Sequence, residues 1–169
     1  MEQIFNKIID QKKLKVKVSE LKKVKKIIGF TNGCFDILHV GHVLYLEKAK
    51  QKCDFLVLGV NSDASVKRLG KAPDRPINSE KNRAIVLAAL AAVDVVCIFS
   101  EDTPEQLIQL CSPDILMKGA DYEALETDKN SKKYIVGSDF VRKNGGKIET
   151  IPFEEGFSTT NLIKKIKHE

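Results

Sequence analysis

The sequence of 169 residues is 43% hydrophobic and 30% charged, which is typical of a globular chain with one sizeable core and excludes a disordered or fibrous protein. Its net charge of +5 is too small to indicate nucleic-acid binding by itself, and the lysines crowd toward the two ends, as solvated helix faces do. No apolar run could span a bilayer and no signal-peptide core follows the first residues, so we expect a cytoplasmic protein without a membrane partner.

Strand-like and helix-like patterns alternate along the chain. Residues 1–25 are predicted as a helical lead-in, with a short amphipathic helix and a second helix capped by Ser19. Strands are predicted at 26–30, 55–60, 94–99, 114–118 and 147–151. Helices are predicted at 40–51, 79–92, 134–144 and 158–167. A further helix ends near Cys111 and should start in a capping box at 103–106, with Pro104 as its first residue.

This alternation predicts an α/β fold: a Rossmann-like parallel sheet of about five strands with helices on both faces. We expect residues 26–169 to form this one domain, with residues 1–25 leading into it. Right-handed crossovers place every strand-to-helix turn at the carboxyl edge of the sheet. The polar segments 31–42, 61–75, 118–122 and 152–160 should therefore converge on one cleft, with 61–75 as a basic polar loop.

The turn at residues 30–42 carries the first chemical signal. His39 and His42 stand on one side of the first turn of a helix, and Gly33 and Gly41 let backbone approach a ligand. A helix start after a strand is a ready anion site. Metal binding would need a third ligand, and the remaining histidine is the distant His168, so donation to phosphate oxygens is the better interpretation. Cys34 is interpreted as a small filler, and the other three cysteines as core thiols without a zinc-ribbon spacing.

Two further segments could hold phosphate. The loop after the second strand carries Lys67, Arg68, Lys71 and Arg75, and a mobile Lys71 could neutralise a triphosphate. The last helix opens with hydroxyl residues 158–160, where an N-cap and a phosphate clamp are compatible. No P-loop motif, dinucleotide fingerprint or Ser-His-Asp set is present.

The run G-C-F-D-I-L-H-V-G-H at residues 33–42 resembles the G-x-F-D-x-x-H-x-G-H signature of the cytidylyltransferase-like nucleotidyltransferases. The run G-F-S-T-T at 156–160 resembles the second signature of that family. Segments 30–36, 60–63, 75–78, 118–122 and 155–160 look most like the heptose-phosphate nucleotidyltransferases. In fused members of that group a sugar kinase precedes this domain, so this chain is expected to be a stand-alone transferase.

The resemblance implies that a sugar 1-phosphate attacks the α-phosphorus of a nucleoside triphosphate. The acceptor it favours is D-glycero-D-manno-heptose 1-phosphate. Mg²⁺ would be bound through the nucleotide phosphates, with no metal ligands from the protein. Catalytic roles are carried over to His39, His42, Lys71, Ser158 and Thr159. Nucleotide contacts are carried over to Phe30, Thr31, Asn32, Gly33, Cys34, Phe35, Gly41, Lys118, Gly119, Asp121 and Thr160. Substrate contacts are carried over to Asp36, Asn61, Asp63, Arg68, Arg83 and Tyr122, with Arg83 either binding the acceptor phosphate or bracing the loop.

Two departures from the glycerol-phosphate cytidylyltransferases argue against CTP and glycerol 3-phosphate. The arginine that reads cytosine has no counterpart in residues 90–94, and the arginine before the second signature is replaced by the apolar segment 152–153. We therefore expect ATP, with GTP left open, and a homodimer as in relatives. The alternatives are a glycerol-3-phosphate cytidylyltransferase, a cofactor adenylyltransferase of the pantetheine-phosphate type and an RNA-binding module. The last lacks an aromatic stripe or recognition helix, so no nucleic-acid partner is expected.

Overall fold

A computed structural model describes residues 2–70, 74–152, 157 and 159–166 of the chain. Within these ranges the strands are β1 (Ile28–Gly33), β2 (Phe55–Asn61), β3 (Val95–Phe99), β4 (Ile115–Gly119) and β5 (Lys147–Ile151). The helices are α1 (Glu2–Asn6), α2 (Gln11–Lys23), α3 (Val40–Lys50), α4 (Asp63–Arg68), α5 (Glu80–Ala88), α6 (Glu105–Cys111), α7 (Ser138–Lys143) and α8 (Thr159–Ile166). None of the described helices is long and apolar enough to cross a bilayer.

The five strands form one parallel sheet in the order β3-β2-β1-β4-β5. Strand order reverses between β1 and β4, because β2 follows β1 on one side while β4 joins it on the other. In open α/β sheets such a reversal leaves a crevice at the carboxyl ends of the two central strands. The predicted parallel fold is confirmed, and it places the turn after β1 at the mouth of this crevice.

The sheet is covered on both faces, as its continuous apolar strands require. One cluster of buried side chains joins Leu46 of α3 and Leu87 of α5 to the sheet. The other joins Leu14 of α2, Ile108 of α6 and Val141 of α7 to the opposite face. Fully burying an aliphatic side chain of this size stabilises a fold by about 1.5–3 kcal/mol, so these contacts fix α3 against the sheet.

Residues 1–25 do not fold as predicted in detail. Asp10, rather than Ser19, caps α2: its Oδ1 accepts the Lys13 backbone N–H at 2.8 Å. Ser19 lies inside the helix. The segment before α2 also pairs with the sheet, because Ile8 forms a parallel bridge with Val96 of the edge strand β3.

Three other elements differ from their predicted form. The loop after β2 contains α4, which is capped by Ser62. The capping box expected at residues 103–106 is wrong, since Pro104 is the N-cap of α6 and no side chain caps it. Helix α7 is shorter than the predicted 134–144, because Gly137, with a φ of +85°, forms its start.

Candidate active site

A cleft of about 520 Å³ opens at the carboxyl edge of the sheet. It gathers segments that are far apart in the sequence, as the parallel topology requires. The predicted site residues that line it are Asn32, Gly33, Cys34, Phe35, Asp36, His42, Asn61, Lys118, Gly119, Asp121, Tyr122 and Thr159. Residues of both signature-like segments therefore face one cavity.

The two histidines form a stacked pair at the start of α3. His39 is the N-cap of this helix, and its ring lies 3.8 Å from that of His42, centroid to centroid. The Nδ1 atoms of both rings are buried and have no hydrogen-bond partner among the described residues. A buried ring nitrogen without a partner is costly, so these two atoms are poised for a polar ligand.

Both imidazoles are held in the neutral form. Burial lowers the pKa of His39, and burial lowers that of His42 to about 4, helped by His39 and Arg75 and opposed by a hydrogen bond to the Ile37 carbonyl. A neutral imidazole still donates one N–H. Gly41 belongs to the same arrangement, because a Cβ there would lie 3.1 Å from the His39 ring.

Asp36 organises the loop before α5. Its buried Oδ1 accepts the backbone N–H groups of Ile77 and Asn78, at 2.8 and 3.0 Å, and its Oδ2 accepts Nε of Arg75 at 2.9 Å. Burial alone would raise the pKa of Asp36, but the bonds from Asn78, Arg75 and Ile77 outweigh it and lower that pKa. Both carboxylate oxygens are thus engaged, and the predicted direct substrate contact is replaced by a contact with Arg75.

Arg83 lies beneath the cleft rather than in it. Only 1% of the residue is exposed. Its guanidinium donates to the Cys34 carbonyl at 2.6 Å, the Asn78 carbonyl at 3.0 Å and Asp63 Oδ1 at 2.8 Å. Of the two alternatives for Arg83, the structure supports bracing, and Asp63 is its partner instead of a substrate ligand.

The side chains of three more predicted ligand-binding residues contact other parts of the protein. Phe30 is fully buried in the core, and the buried Thr31 hydroxyl lies 2.7 Å from that of Tyr45. Arg68 of α4 pairs with Asp102 and the Ser100 carbonyl. The predicted ligand contacts of these side chains are therefore corrected to support of the cleft wall.

The β4 side of the cleft is aromatic and basic. Lys118 Nζ lies 5.3 Å from the centroid of the Tyr122 ring and donates to the Asn32 carbonyl at 3.3 Å. Burial raises the pKa of Tyr122, so its hydroxyl stays protonated. Asp121 lies beside it and is exposed to the cleft.

Several lining residues were missed from the sequence. They are Tyr45, Leu69, Asp102, Thr103, Pro104, Tyr134 and Val136, whereas Arg75, which also lines the cleft, is one of the loop cations named from the sequence. Residues 102–104 follow β3 and could have been placed at the shared carboxyl edge by the same topology argument. Tyr134 and Val136 lie before α7, in residues that the sequence pattern predicts as the start of a helix at 134–144.

Three predicted site residues lie wholly or partly outside the described structure. Lys71 and Ser158 lie outside the described residues, and Thr160 is placed in α8 without a description of its side chain. In the described parts of the chain, no group of three or more His, Cys, Asp or Glu side chains could hold a metal ion.

Comparisons with known proteins agree with this geometry. Residues 30–165 match the family model described as cytidylyltransferase-like. The chain is 54% identical over 166 residues to the bifunctional protein HldE of Campylobacter jejuni serotype O:6, covering 96% of this chain and 33% of that protein. HldE of Mesorhizobium japonicum is 54% identical over 140 residues, covering 83% of this chain and 26% of that protein. The chain thus spans about a third or less of the length of these relatives.

Solved structures share the fold. The lipopolysaccharide core biosynthesis protein of Thermoplasma volcanium superposes with a TM-score of 0.58 at 26% identity, covering 76% of this chain and 97% of that one. A pantoate-β-alanine ligase of Francisella tularensis superposes with a TM-score of 0.56 at 16% identity, covering 95% and 76%. At that identity the second likeness concerns the fold alone.

Proposed function

The chain belongs to the cytidylyltransferase-like family, and we propose that it transfers a nucleotidyl group from a nucleoside triphosphate to a sugar 1-phosphate. The products are a nucleoside diphosphate sugar and pyrophosphate. The acceptor we propose is D-glycero-D-manno-heptose 1-phosphate, with ATP as the donor, so that the product supplies heptose for a surface polysaccharide. The proposal includes a cytoplasmic location and a homodimer.

One observation carries the proposal. The cleft brings His42 of the first signature together with Thr159 of the second, although they are 117 positions apart in the numbering. Lys118 and Tyr122 complete the opposite wall. A site with neutral donors, a hydroxyl and an ammonium group suits phosphate oxygens better than a carbonyl or an amine.

The proposed step is an in-line displacement at phosphorus. An oxygen of the sugar phosphate forms a bond to the α-phosphorus while the bond from that atom to the bridging oxygen of pyrophosphate breaks. The attacking oxygen is already anionic, so no side chain has to remove a proton. Catalysis then consists of positioning and of stabilising the charge on the phosphoryl oxygens.

We assign each residue a contact with the phosphates, the base or the ribose. We assign both histidines the donation to phosphoryl oxygens: His39 uses the one N–H of its neutral ring, and His42 turns to the ligand the N–H that the Ile37 carbonyl accepts in the free protein. Thr159 donates from α8, and we assign Lys71 and Ser158 the phosphate contacts that the resemblance implies. Tyr122 offers an aromatic face for the base, and Asp121 is placed to accept from the ribose hydroxyls.

We propose that Mg²⁺ enters with the nucleotide and is held by its phosphates. The described residues offer no cluster of metal ligands, and Mg²⁺ is commonly held by phosphates with few protein ligands. When bound it would offset phosphate charge. No step above depends on it.

A pyrophosphate-release screen tests the proposal. ATP, GTP, CTP and UTP are each combined with heptose 1-phosphates, glucose 1-phosphate, glycerol 3-phosphate and phosphopantetheine. We expect the highest kcat/KM for ATP with heptose 1-phosphate. Release with CTP and glycerol 3-phosphate, or with phosphopantetheine, would reassign the substrate, and absence of release from heptose 1-phosphates with all four nucleotides would refute it.

The variant His39→Ala tests the assigned chemistry. Removing one donor to a developing oxyanion costs about 10²–10³ in kcat. We expect such a loss with the thermal unfolding midpoint nearly unchanged, because the Nδ1 of His39 has no partner among the described residues. Lys15→Gln on the exposed face of α2 is the matched control and should retain full turnover. Unchanged turnover in folded His39→Ala would contradict the role.

A further inference from the structure

We infer that Arg75 is the anion-binding residue for the phosphate of the acceptor, and that Asp36 is a positioning residue that aims its guanidinium into the cleft. This inference rests on the proposed function. It assigns a contact for the second substrate that the buried Arg83 does not offer.

Two positively charged side chains line the cleft within the described residues. They are Lys118 and Arg75. Lys118 lies near the carboxyl end of β4, beside Tyr122, where the nucleotide is proposed to lie. Arg75 stands on the other side, with Leu69 and residues 102–104, which belong to the loops after β2 and β3. Two anionic substrates therefore meet two cations on opposite walls.

The geometry of the Arg75 guanidinium also supports this contact. Nε of Arg75 donates to Asp36 at 2.9 Å. Nη1 and Nη2 of Arg75 make no hydrogen bond or ion pair within the described part of the chain, and 11% of the side chain remains exposed. An arginine held by Nε keeps the paired N–H groups of its outer edge free, and that edge matches two phosphate oxygens.

The support of this guanidinium is rigid. Asp36 holds Arg75 with one oxygen and the backbone of Ile77 and Asn78 with the other. Asn78 returns a bond from its Nδ2 to the Asp36 carbonyl at 2.7 Å. The loop is thus tied to the turn that leads into α3, the helix that carries His42. A bidentate residue held in this way loses little entropy when it binds.

The neighbouring acids leave the outer edge of this guanidinium available. Asp36 offsets part of the charge but contacts the guanidinium through Nε. Asp102 lines the same wall, but its carboxylate is paired with Arg68. Repulsion between Arg75 and a protonated imidazole contributes to the lowered pKa of His42, which places the guanidinium charge close to the centre of reaction. An acceptor phosphate bound at Arg75 would thus stand next to the phosphoryl oxygens held by the histidines.

The test separates the two substrates. Binding of heptose 1-phosphate and of a non-hydrolysable ATP analogue is measured by calorimetry for wild type, Arg75→Gln, Arg75→Lys and the control Lys15→Gln. Losing a charge-assisted pair of hydrogen bonds costs about 10–100-fold in affinity. We expect that loss for heptose 1-phosphate in Arg75→Gln, less than about threefold change for the ATP analogue, and an intermediate affinity in Arg75→Lys.

Kinetics test Asp36. Asp36→Asn should raise KM for the sugar phosphate with a smaller change in kcat. Combining it with Arg75→Gln should raise that KM little further, because both changes disrupt the same ion pair. Simple structural damage would lower kcat and alter KM for both substrates. Should Asp36→Asn not fold, the two Arg75 variants still decide the inference.

The outcomes are distinct. An affinity for heptose 1-phosphate that is unchanged in Arg75→Gln, or a loss of affinity confined to the ATP analogue, would overturn the inference while leaving the proposed transfer intact. Arg75-dependent binding without turnover would support the inference and refute the transfer. If heptose 1-phosphate and the ATP analogue both fail to bind wild type, both statements are refuted.

Discussion

The imidazole of His42 couples the stability of the fold to pH. Its pKa is about 4 in the folded protein against an ordinary 6.5. Between these two values the unfolded chain binds a proton that the folded chain does not, so the free energy of unfolding must fall as pH drops from 6.5 toward 4. Above pH 6.5 both states are neutral and the coupling vanishes.

We therefore expect His42→Gln to lose less stability than wild type between pH 7 and pH 4.5. Urea unfolding at pH 7, 5.5 and 4.5 measures the difference. The neighbour His39 acts in the same direction, since its pKa is also lowered, so the effect should shrink rather than disappear. Asp36 affects stability at lower pH. Because its pKa is lowered in the folded protein, its contribution to the free energy of unfolding is lost only below about pH 4. Identical pH profiles of the two proteins would contradict the buried, neutral state of His42.

The sequence predicts residue types at this site better than their orientation. His42, Lys118 and Thr159 line the cleft, and His39 lies beside it, stacked on His42 at the start of α3. Arg83 and Asp63 were placed in the right region, but a charge on a helix can face a ligand or a buried partner, and only the three-dimensional contacts decide between them. Arg75 had been treated as one of several loop cations, because nothing in the spacing reveals that Asp36 holds it.

At the scale of elements, glycines mark where short helices begin and end. Gly137 at the start of α7 and Gly145 after its end have similar φ values, +85° and +80°. An added Cβ at Gly137 would lie 2.7 Å from Cδ1 of Ile108 on α6, whereas at Gly145 it would meet nothing within 4 Å. The two positions thus share backbone strain and differ in crowding.

We expect Gly145→Ala to lower the free energy of unfolding by about 1–2 kcal/mol, the cost of a left-handed residue. Gly137→Ala should cost about 2–4 kcal/mol, because overpacking against Ile108 is added to that strain. Chemical denaturation of both variants at one pH gives the comparison. Equal costs would mean that α6 moves aside without loss.

Elements were predictable where their pattern was long and regular. Strand β2 appears almost at its predicted bounds, because a continuous apolar run is a strong signal. Helix α3 also matches its predicted bounds to within one residue. Helix α4 was missed, since a helix of six residues has too few turns to display a period. Tyr134 was predicted inside a helix at 134–144, but α7 begins at Ser138, so Tyr134 lies in the irregular segment before it and reaches the cleft.

At the scale of the whole molecule, the lead-in belongs to the fold. The Ile9 N–H donates to the Val96 carbonyl, and the Val96 N–H donates to the Lys7 carbonyl, at 3.0 and 2.8 Å. These bonds cover the otherwise open edge of β3, which protects a sheet from pairing with other chains. Leu14 and Val18 of α2 then close one face of the core.

A matched pair on α2 tests whether this segment folds with the sheet. Leu14 is fully buried, whereas Val16, two positions on, is 60% exposed. Leu14→Ala should lower the free energy of unfolding by about 2–5 kcal/mol, the cost of lost burial plus a cavity. Val16→Ala should change it by no more than about 0.5 kcal/mol. If the lead-in were an independent appendage, Leu14→Ala would loosen α2 alone and leave the main unfolding transition in place. A single transition, shifted in Leu14→Ala and unshifted in Val16→Ala, would instead show that residues 1–25 and the sheet unfold as one cooperative unit.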